Sequence, residues 1–556
     1  MARVGPANLE IARKHKRILS AMDTERQNWF PHWREISDYF LPRRYPWLMT
    51  QREVRTADRR NHKLLDSTST LAVRTLASGM MNGITSPSRP WVRLRLAGFD
   101  EASTSRDANI WTDETLRRIM LILSESNFYN SMAVLYLEWC TFGTASMAIY
   151  EDFNDVLRCY NYPLGEFYIT QDETQRVNRH GRRFVKTVEQ LVGDFGEDAL
   201  SENTRQLFKS GGENLLKEIE IAHLIEVNPN DSLLSAPSKW RECFWEVGAT
   251  EGEYLAVRPL YEWPTITPRW ELLGDDSYGT SPAMDALSDV RQLQEMLLQR
   301  ASGLAKMVSP PLIVDQQLRN RPKALGANGI TYAATASQNF GAKEAYRVQL
   351  PFGELARDIE QLQSRIRETC HNHLFNMISQ LETVRSATEI DARREEKLIH
   401  LGPVLERFYN EGLDPALKRV FGIAQRAGLL PEPPVQLVDT EIEVQYVSIL
   451  SDAQKASGNI AIERFLQVAG QLLGAYPEVH SVPNVEELLR DYAENIGIKP
   501  KGMNSREEVA AVARADAQQQ ALSQTAAIGG QLAQGAKVLS EADLGGGQNA
   551  LQALTQ

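Results

Sequence analysis

The densest group of possible metal ligands in this sequence is Cys370-His-Asn-His373. Residues three apart on a helix share a face, so Cys370 and His373 can supply two of the four ligands a zinc site needs. Nothing elsewhere in the sequence offers a second pair. Both positions also fall on an apolar helical seam, so a packed, metal-free face is the simpler reading. Asp275-Asp276 invites a metal reading too, but it stands in Asp275-Asp-Ser-Tyr-Gly279, where Asp beside Gly is ordinary turn chemistry. A metal-dependent nuclease needs several converging carboxylates, and Glu389, Asp391, Glu395 and Glu396 are the best candidates. Glu389 is accounted for by a helix cap, and Arg393, Arg394 and Lys397 pair the others as on any solvated helix face. The chain carries no G-x-x-x-x-G-K-[ST] phosphate loop, no H-E-x-x-H and no G-x-S-x-G. No catalytic residue, metal site or cofactor is assigned.

The elements that would position these residues form one organising stretch, 281–428. Ser281-Pro282 reads as an N-cap followed by proline in the first helical position, where the missing N–H costs nothing. Met284, Leu287, Val290, Leu293, Leu297, Ala301 and Leu304 then recur every three or four residues, and Pro310-Pro311 ends the helix. A second helix, 354–377, carries Leu355, Ile359, Leu362, Ile366, Cys370, His373 and Met377 along one narrow seam, a rod of about 35 Å. Between the two, 311–314, 330–333 and 346–350 read as short strands with Gly-rich turns. A polar loop follows at 378–385, and Ser386-Ala-Thr-Glu389 reads as a capping box. The helix it starts contains Pro403, where a kink is the cheapest outcome.

The remaining chain is mixed. Residues 9–41 read as a helix that Pro31 breaks or kinks, followed by the most basic stretch, 43–63, with seven Lys/Arg against Glu53 and Asp58. A solvated arm or subunit contact is the simpler reading of that run, and a nucleic-acid patch the sharper one. Asp66 caps a helix to about residue 81, in which Ser78-Gly79 allows another backbone to approach. Strands are expected at 91–96, 145–150, 156–160, 166–170, 218–227, 239–247 and 253–262, the last two as a hairpin, and helices at 109–125 and 129–141. Thr187-Val-Glu-Gln190 is a second capping box. Past Pro431-Glu-Pro-Pro434 come a strand at 441–449 and helices at 451–473 and 485–494. An Ala/Gln-rich stretch, 506–538, follows, and the Gly-rich tail is expected to be disordered.

At 556 residues, two to four domains are expected. The net charge of −11 argues against a protein whose task is to grip nucleic acid, since each neutralised phosphate adds affinity. It is compatible with a conduit that a duplex must slide through. The four cysteines, Cys140, Cys159, Cys243 and Cys370, are widely spaced and read as reduced, buried thiols. The N-terminus lacks the apolar core of a signal peptide, and no stretch approaches the roughly 20 apolar residues of a membrane span.

Several long blocks, in order, resemble the head-to-tail connector (portal) proteins of short-tailed bacteriophages. They are Leu65-Asp-Ser-Thr…Leu76-Ala-Ser-Gly-Met-Met…Thr85-Ser-Pro-Ser-Arg-Pro-Trp91, then Ser386-Ala-Thr-Glu-Ile…Glu395-Glu-Lys-Leu…Leu401-Gly-Pro-Val-Leu-Glu-Arg-Phe…Leu413-Asp-Pro…Arg426-Ala-Gly-Leu-Leu-Pro431, and Val447-Ser-Ile-Leu-Ser-Asp-Ala-Gln-Lys-Ala456. The resemblance implies an α+β, mainly helical fold with an α/β wing (1–280), helical stem (281–306 and 353–377), small α/β clip (307–352) and tunnel loop (378–387). A kinked helix and wing return (388–429), a helical crown (430–505) and a short C-terminal barrel with a tail (506–556) complete it. It further implies a dodecameric ring at one capsid vertex, the channel for double-stranded DNA during packaging and ejection. The implied partners are the terminase large subunit, a tail adaptor, and the major capsid and scaffolding proteins, with assembly in the host cytoplasm and no membrane. Under that correspondence Ser379, Gln380, Glu382, Thr383 and Arg385 face the channel, and Pro403 is a hinge. Leu355, Ile359, Leu362, Ile366, Leu287, Leu293 and Leu297 form the seam that locks subunits together. The alternatives are a metal-dependent DNA-processing enzyme and another ring-forming tail or collar protein.

Overall fold

The computed structural model describes residues 6–44 and, apart from residues 89, 97–105, 230, 232, 235–236 and 250–252, residues 64–315. It also describes 330–333, 342–344, 351–379, 401–434 and 442–446, with isolated helical positions between 463 and 537. The chain mixes helix and sheet and divides into two compact units. The larger comprises Met1–Leu94, Glu114–Glu432 and Glu443–Ser457; the smaller comprises Arg95–Asp113, Pro433–Ile442 and Gly458–Gln556.

The helices are α1 (Pro6–Phe40), α2 (Thr68–Ile84), α3 (Arg106–Glu125), α4 (Phe128–Phe142), α5 (Val188–Phe195), α6 (Glu202–Ser210), α7 (Pro282–Asp285), α8 (Leu287–Val308), α9 (Phe352–Thr369), α10 (Asn372–Ser379), α11 (Gly402–Phe408) and α12 (Asp414–Arg426). A π-helical turn, Tyr409–Leu413, joins α11 to α12. Among the described residues no helix is long and apolar enough to cross a membrane.

Strands β1 (Val92–Leu96), β2 (Ser146–Asp152) and β3 (Val156–Tyr162) are followed by an antiparallel meander of five. These are β4 (Phe167–Gln171), β5 (Val177–Thr187), β6 (Glu218–Val227), β7 (Trp240–Glu246) and β8 (Ala256–Leu260). The short β9 (Thr265–Ile266) joins the other edge of β2 from β3. The expected hairpin at β7–β8 is present, with Trp240 opposite Leu260. Between α8 and α9, β10 (Leu312–Asp315) lies at the centre of a three-stranded sheet, parallel to β11 (Ile330–Ala333) and antiparallel to β12 (Ala342–Glu344). The third strand of this insert is thus Ala342–Glu344, and the stretch 346–350 lies outside the described residues. The last described strand is β13 (Ile442–Tyr446), inside the expected 441–449.

Helix α1 runs unbroken through Pro31, contrary to the expected break. A proline in a helix interior costs roughly 3 kcal/mol. Phe30, Trp33, Ile36 and Phe40 are buried on either side of it, and their burial at roughly 1.5–3 kcal/mol each outweighs that cost. The helix serves two cores. Leu19 and Met22 pack on the five-stranded sheet beside Tyr168, Leu224, Cys243 and Trp245. The later residues pack with α2, α8 and α9. A third core centres on Trp139, whose ring lies 4.5 Å from Phe408 and 4.7 Å from Trp270.

Two helices expected to be continuous are interrupted. The first breaks at Ala286, separating α7 from α8. The second breaks at Cys370–His371, where His371 adopts a left-handed φ of 54° that few non-glycine residues take up. Pro403 stands in the first turn of α11, where its ring removes no intrahelical hydrogen bond. The stretch expected to lead as a helix into Pro403, 386–400, lies outside the described residues, and with it the expected kink; among the described residues the irregularity here is the π turn that follows α11. The four cysteines are unpaired and buried. In the smaller unit Ala108 and Trp111 are buried, whereas Phe465, Val468, Leu489, Val509 and Val512 are exposed.

Candidate functional site

The Ser281 cap forms as its sequence predicts: its hydroxyl accepts from the Met284 N–H and donates to the Thr141 carbonyl at 2.7 Å, fixing where the helix pair departs. From there α8 and α9 pack against each other. Leu287, Val290, Leu293, Ile359, Leu362, Ile366 and Cys370 are all buried, and Leu297 and Leu355 are half-buried against the same core. The seam is satisfied inside one chain, by the facing helix and by α1 and α2. It is not the free face for locking subunits that its narrowness suggests.

Polar contacts hold the near half of the pair to the body. Gln294, 5% exposed within the seam, accepts from the N–H groups of Leu65 (2.7 Å) and Asp66 (3.0 Å) and donates to the Asp66 carbonyl (3.1 Å). From the other helix, Gln363 donates to Asp66 Oδ2 at 3.0 Å. Asp66 Oδ1 accepts from the Thr68 N–H, the first of α2, at 2.7 Å; Asp66 stands one residue before the N-cap, Ser67, which makes no side-chain cap bond. Arg365 pairs with Asp289 across the two helices, and Arg291 pairs with Glu35 of α1. The far half has no such anchors among the described residues. Leu298 (51% exposed), Leu304 (48%), Met307 (39%), Val308 (76%) and Phe352 (40%) lie open there.

Beyond the Cys370–His371 break, α10 docks on α2. Phe375 fills the space over Gly79, where any Cβ would land in its ring, so Ser78-Gly79 does admit a close neighbour. The Asn372 amide, with its nitrogen turned to them, donates to the carbonyls of Ala72 (2.9 Å) and Cys370 (3.1 Å). The break removes Cys370 and His373 from a common helical face, and burial pushes the Cys370 thiol up to about 12, unsuited to a thiolate ligand. No group of three or more metal-ligating side chains occurs among the described residues. Ser379 is the last residue of α10; Gln380, Glu382, Thr383, Arg385 and the carboxylates Glu389, Asp391, Glu395 and Glu396 lie outside the described residues.

Buried charge concentrates in the body rather than in the helix pair. Arg269, fully buried, binds Glu411 of the π turn through Nε (3.0 Å) and Nη2 (2.7 Å), and reaches Gln171 and the carbonyl of Ser277. Glu262 bridges Arg419 (2.9 Å) and Arg426 (2.6 Å), with Glu151 also on Arg426 (2.7 Å). Under α1, His15, Glu226, Arg241 and Asp231 form a chain of contacts of 2.9, 2.6 and 2.7 Å. Burial alone would raise the Glu226 carboxyl, but His15 and Arg241 hold it at about 2. Glu138 is different: burial raises it to about 7 despite Arg44 at 3.1 Å. Each of these charges has a structural partner.

Nothing in the sequence pairs Asp66 with Gln294 and Gln363. The one local signal is a glutamine next to Leu293 in an otherwise apolar seam. Arg269 and Glu411 carry no signal at all.

The chain matches the family model described as bacteriophage head to tail connecting protein over residues 12–503. It is 36% identical over 541 residues to a probable portal protein of Bordetella phage BPP-1, covering 96% of each chain. It is 33% identical over 526 residues to the portal protein of Salmonella phage epsilon15, covering 94% of each. The chain that builds this body, held together by partnered charges with a helix pair rooted in it, belongs by its sequence to the bacteriophage head-to-tail connecting family, the portal proteins.

Proposed function

We propose that copies of this chain close into a dodecameric ring at one vertex of a phage capsid, the channel through which double-stranded DNA enters during packaging and leaves on infection. The observation that carries this reading beyond family membership is the far half of α8–α9. It exposes Leu298, Leu304, Met307, Val308 and Phe352, large apolar side chains that a contact with another chain would take out of water. A neighbouring copy is the partner, since head-to-tail contacts generate a ring when the rotation closes. In this reading residues 1–280 form the wing, 281–306 and 353–377 the stem, 307–352 the clip and 378–387 the tunnel loop. Residues 388–429 return to the wing, 430–505 form the crown, and 506–556 the barrel and tail. The clip docks the terminase large subunit and later a tail adaptor, and the wing meets the major capsid and scaffolding proteins. The protein is passive: the energy comes from a separate ATPase, and Ser379, Gln380, Glu382, Thr383 and Arg385 give the duplex mixed polar contacts rather than a basic clamp, consistent with the acidic net charge of −11.

Negative-stain images of the purified full-length chain, classified by rotational symmetry, test the reading. Rings with a central hole are expected; a compact chain that stays monomeric at high concentration and under capsid-assembly conditions overturns it. Virions carrying Glu382→Ala with Arg385→Ala are expected to contain intact rings but to retain DNA poorly. Normal packaging and retention would remove the loop from the mechanism. Incubation with Mg²⁺ and plasmid DNA separates this reading from a nuclease, and no cleavage is expected.

A further inference from the structure

We infer that the Asp66 junction sets how many copies close the ring. This rests on the ring reading above and adds the residue that controls it.

One residue gathers three helices. Asp66 Oδ1 accepts from the first N–H of α2, its Oδ2 receives Gln363 of α9, and its backbone N–H and C=O are both engaged by the Gln294 amide of α8. With the Leu65 N–H on the same amide oxygen, Gln294 makes three hydrogen bonds from a position 5% exposed. An apolar side chain at that place would pack as well with Leu293 and Val290 and would carry no desolvation cost. What a buried amide adds is direction. Hydrogen bonds tolerate little angular error, whereas apolar contacts allow the helices to slide and tilt. A single polar residue in an apolar helical seam is known to fix register at a cost in stability.

Direction matters here because of leverage. Val308 is fourteen residues past Gln294, so the far tip of α8 stands about 21 Å from the clamp. The rotation that closes a dodecamer differs by about 3° from the one that closes a ring with one copy fewer. A tilt of that size displaces the tip by only about 1 Å, within what a slack apolar seam permits. The exposed residues that meet the neighbour lie on this lever. The angle at which each copy presents them is thus decided at Asp66, and with it the copy number.

The test compares rings of the full-length wild type with those of Gln294→Met and Asp66→Ala, using native mass spectrometry and electron-microscopic symmetry classes. The wild type is expected to give one dominant copy number, and the two variants rings spread over neighbouring copy numbers. Asp66→Asn keeps the oxygen that accepts from the first N–H of α2 and, with Gln363 turned over, a hydrogen bond to α9, so it is expected to restore the single class. Should Gln294→Met fail to fold by circular dichroism, Gln363→Leu, at a half-buried position, carries the same expectation. Variant rings with the wild-type copy number alone would overturn the inference while leaving the ring reading intact. A wild type that forms no ring would overturn both.

Discussion

The two halves of the α8–α9 pair are built from similar helices and treated in opposite ways. In the near half, Leu287, Val290, Leu293, Ile359, Leu362 and Ile366 are sealed under α1 and α2, and Gln294 and Gln363 tie the pair to Asp66. In the far half, the same three- and four-residue spacing continues through Leu304, but that residue and its neighbours Leu298, Met307 and Val308 face water. Periodicity therefore identifies a helix and its apolar residues without saying whose core they enter. The near half contributes to the fold of one chain. The far half is available for a contact that a single chain does not make.

The largest effect belongs to the near half. Ile366→Ala, at a fully buried position, should destabilise the unassembled chain by about 2–5 kcal/mol in denaturant unfolding. A loss below about 0.5 kcal/mol would mean that the seam is completed only between copies, and the contrast would collapse.

Next comes the body beside it. The Glu138 carboxyl ordinarily titrates near 4.5 and is raised to about 7 in the fold. Between those values the folded chain holds the extra proton, so its stability falls as pH rises through this window. Glu138→Gln should flatten that slope and, above pH 7, stabilise the chain by up to about 3 kcal/mol, less whatever the Arg44 contact returns. Parallel pH profiles for the variant and the wild type would show that burial does not govern this carboxyl.

The smallest effect on the isolated chain is expected in the far half. Leu298→Ser with Val308→Ser should change unfolding stability by no more than about 0.5 kcal/mol, yet reduce ring yield in sedimentation. Unaltered ring yield would remove this surface from assembly and sharpen the search for another.

What the sequence made legible was local chemistry. The Ser281 cap and the Thr187–Gln190 capping box form, and Asp66 bonds the first N–H of α2 from just before the N-cap, because each needs partners only two or three residues away. The spacing of α9 was readable as far as Ile366. The turn at Cys370–His371 was not, since no glycine or proline marks it and a histidine takes the left-handed conformation. Pro31 does not break α1, because burial on both sides carries the helix through it, and Pro403 stands in the first turn of the described helix α11. Strand β5 went unread because Arg179, Arg182, Arg183 and Lys186 mask its alternation; only in the fold does Arg182 lie 4.0 Å over Tyr162 and 3.9 Å over Phe184. The Asp66 clamp joins residues more than two hundred positions apart, beyond the reach of any local pattern.

Helix α1 has a temporal consequence. It is synthesised early, yet the ring that covers Trp33 edge-on, Tyr278, is added more than two hundred residues later. Until then a nascent chain displays a long aromatic face with no place to put it, a slow, non-local closure of the kind that invites premature sticking. Polysomes making this protein should therefore present that face to a chaperone until Tyr278 and the helices around it have been added.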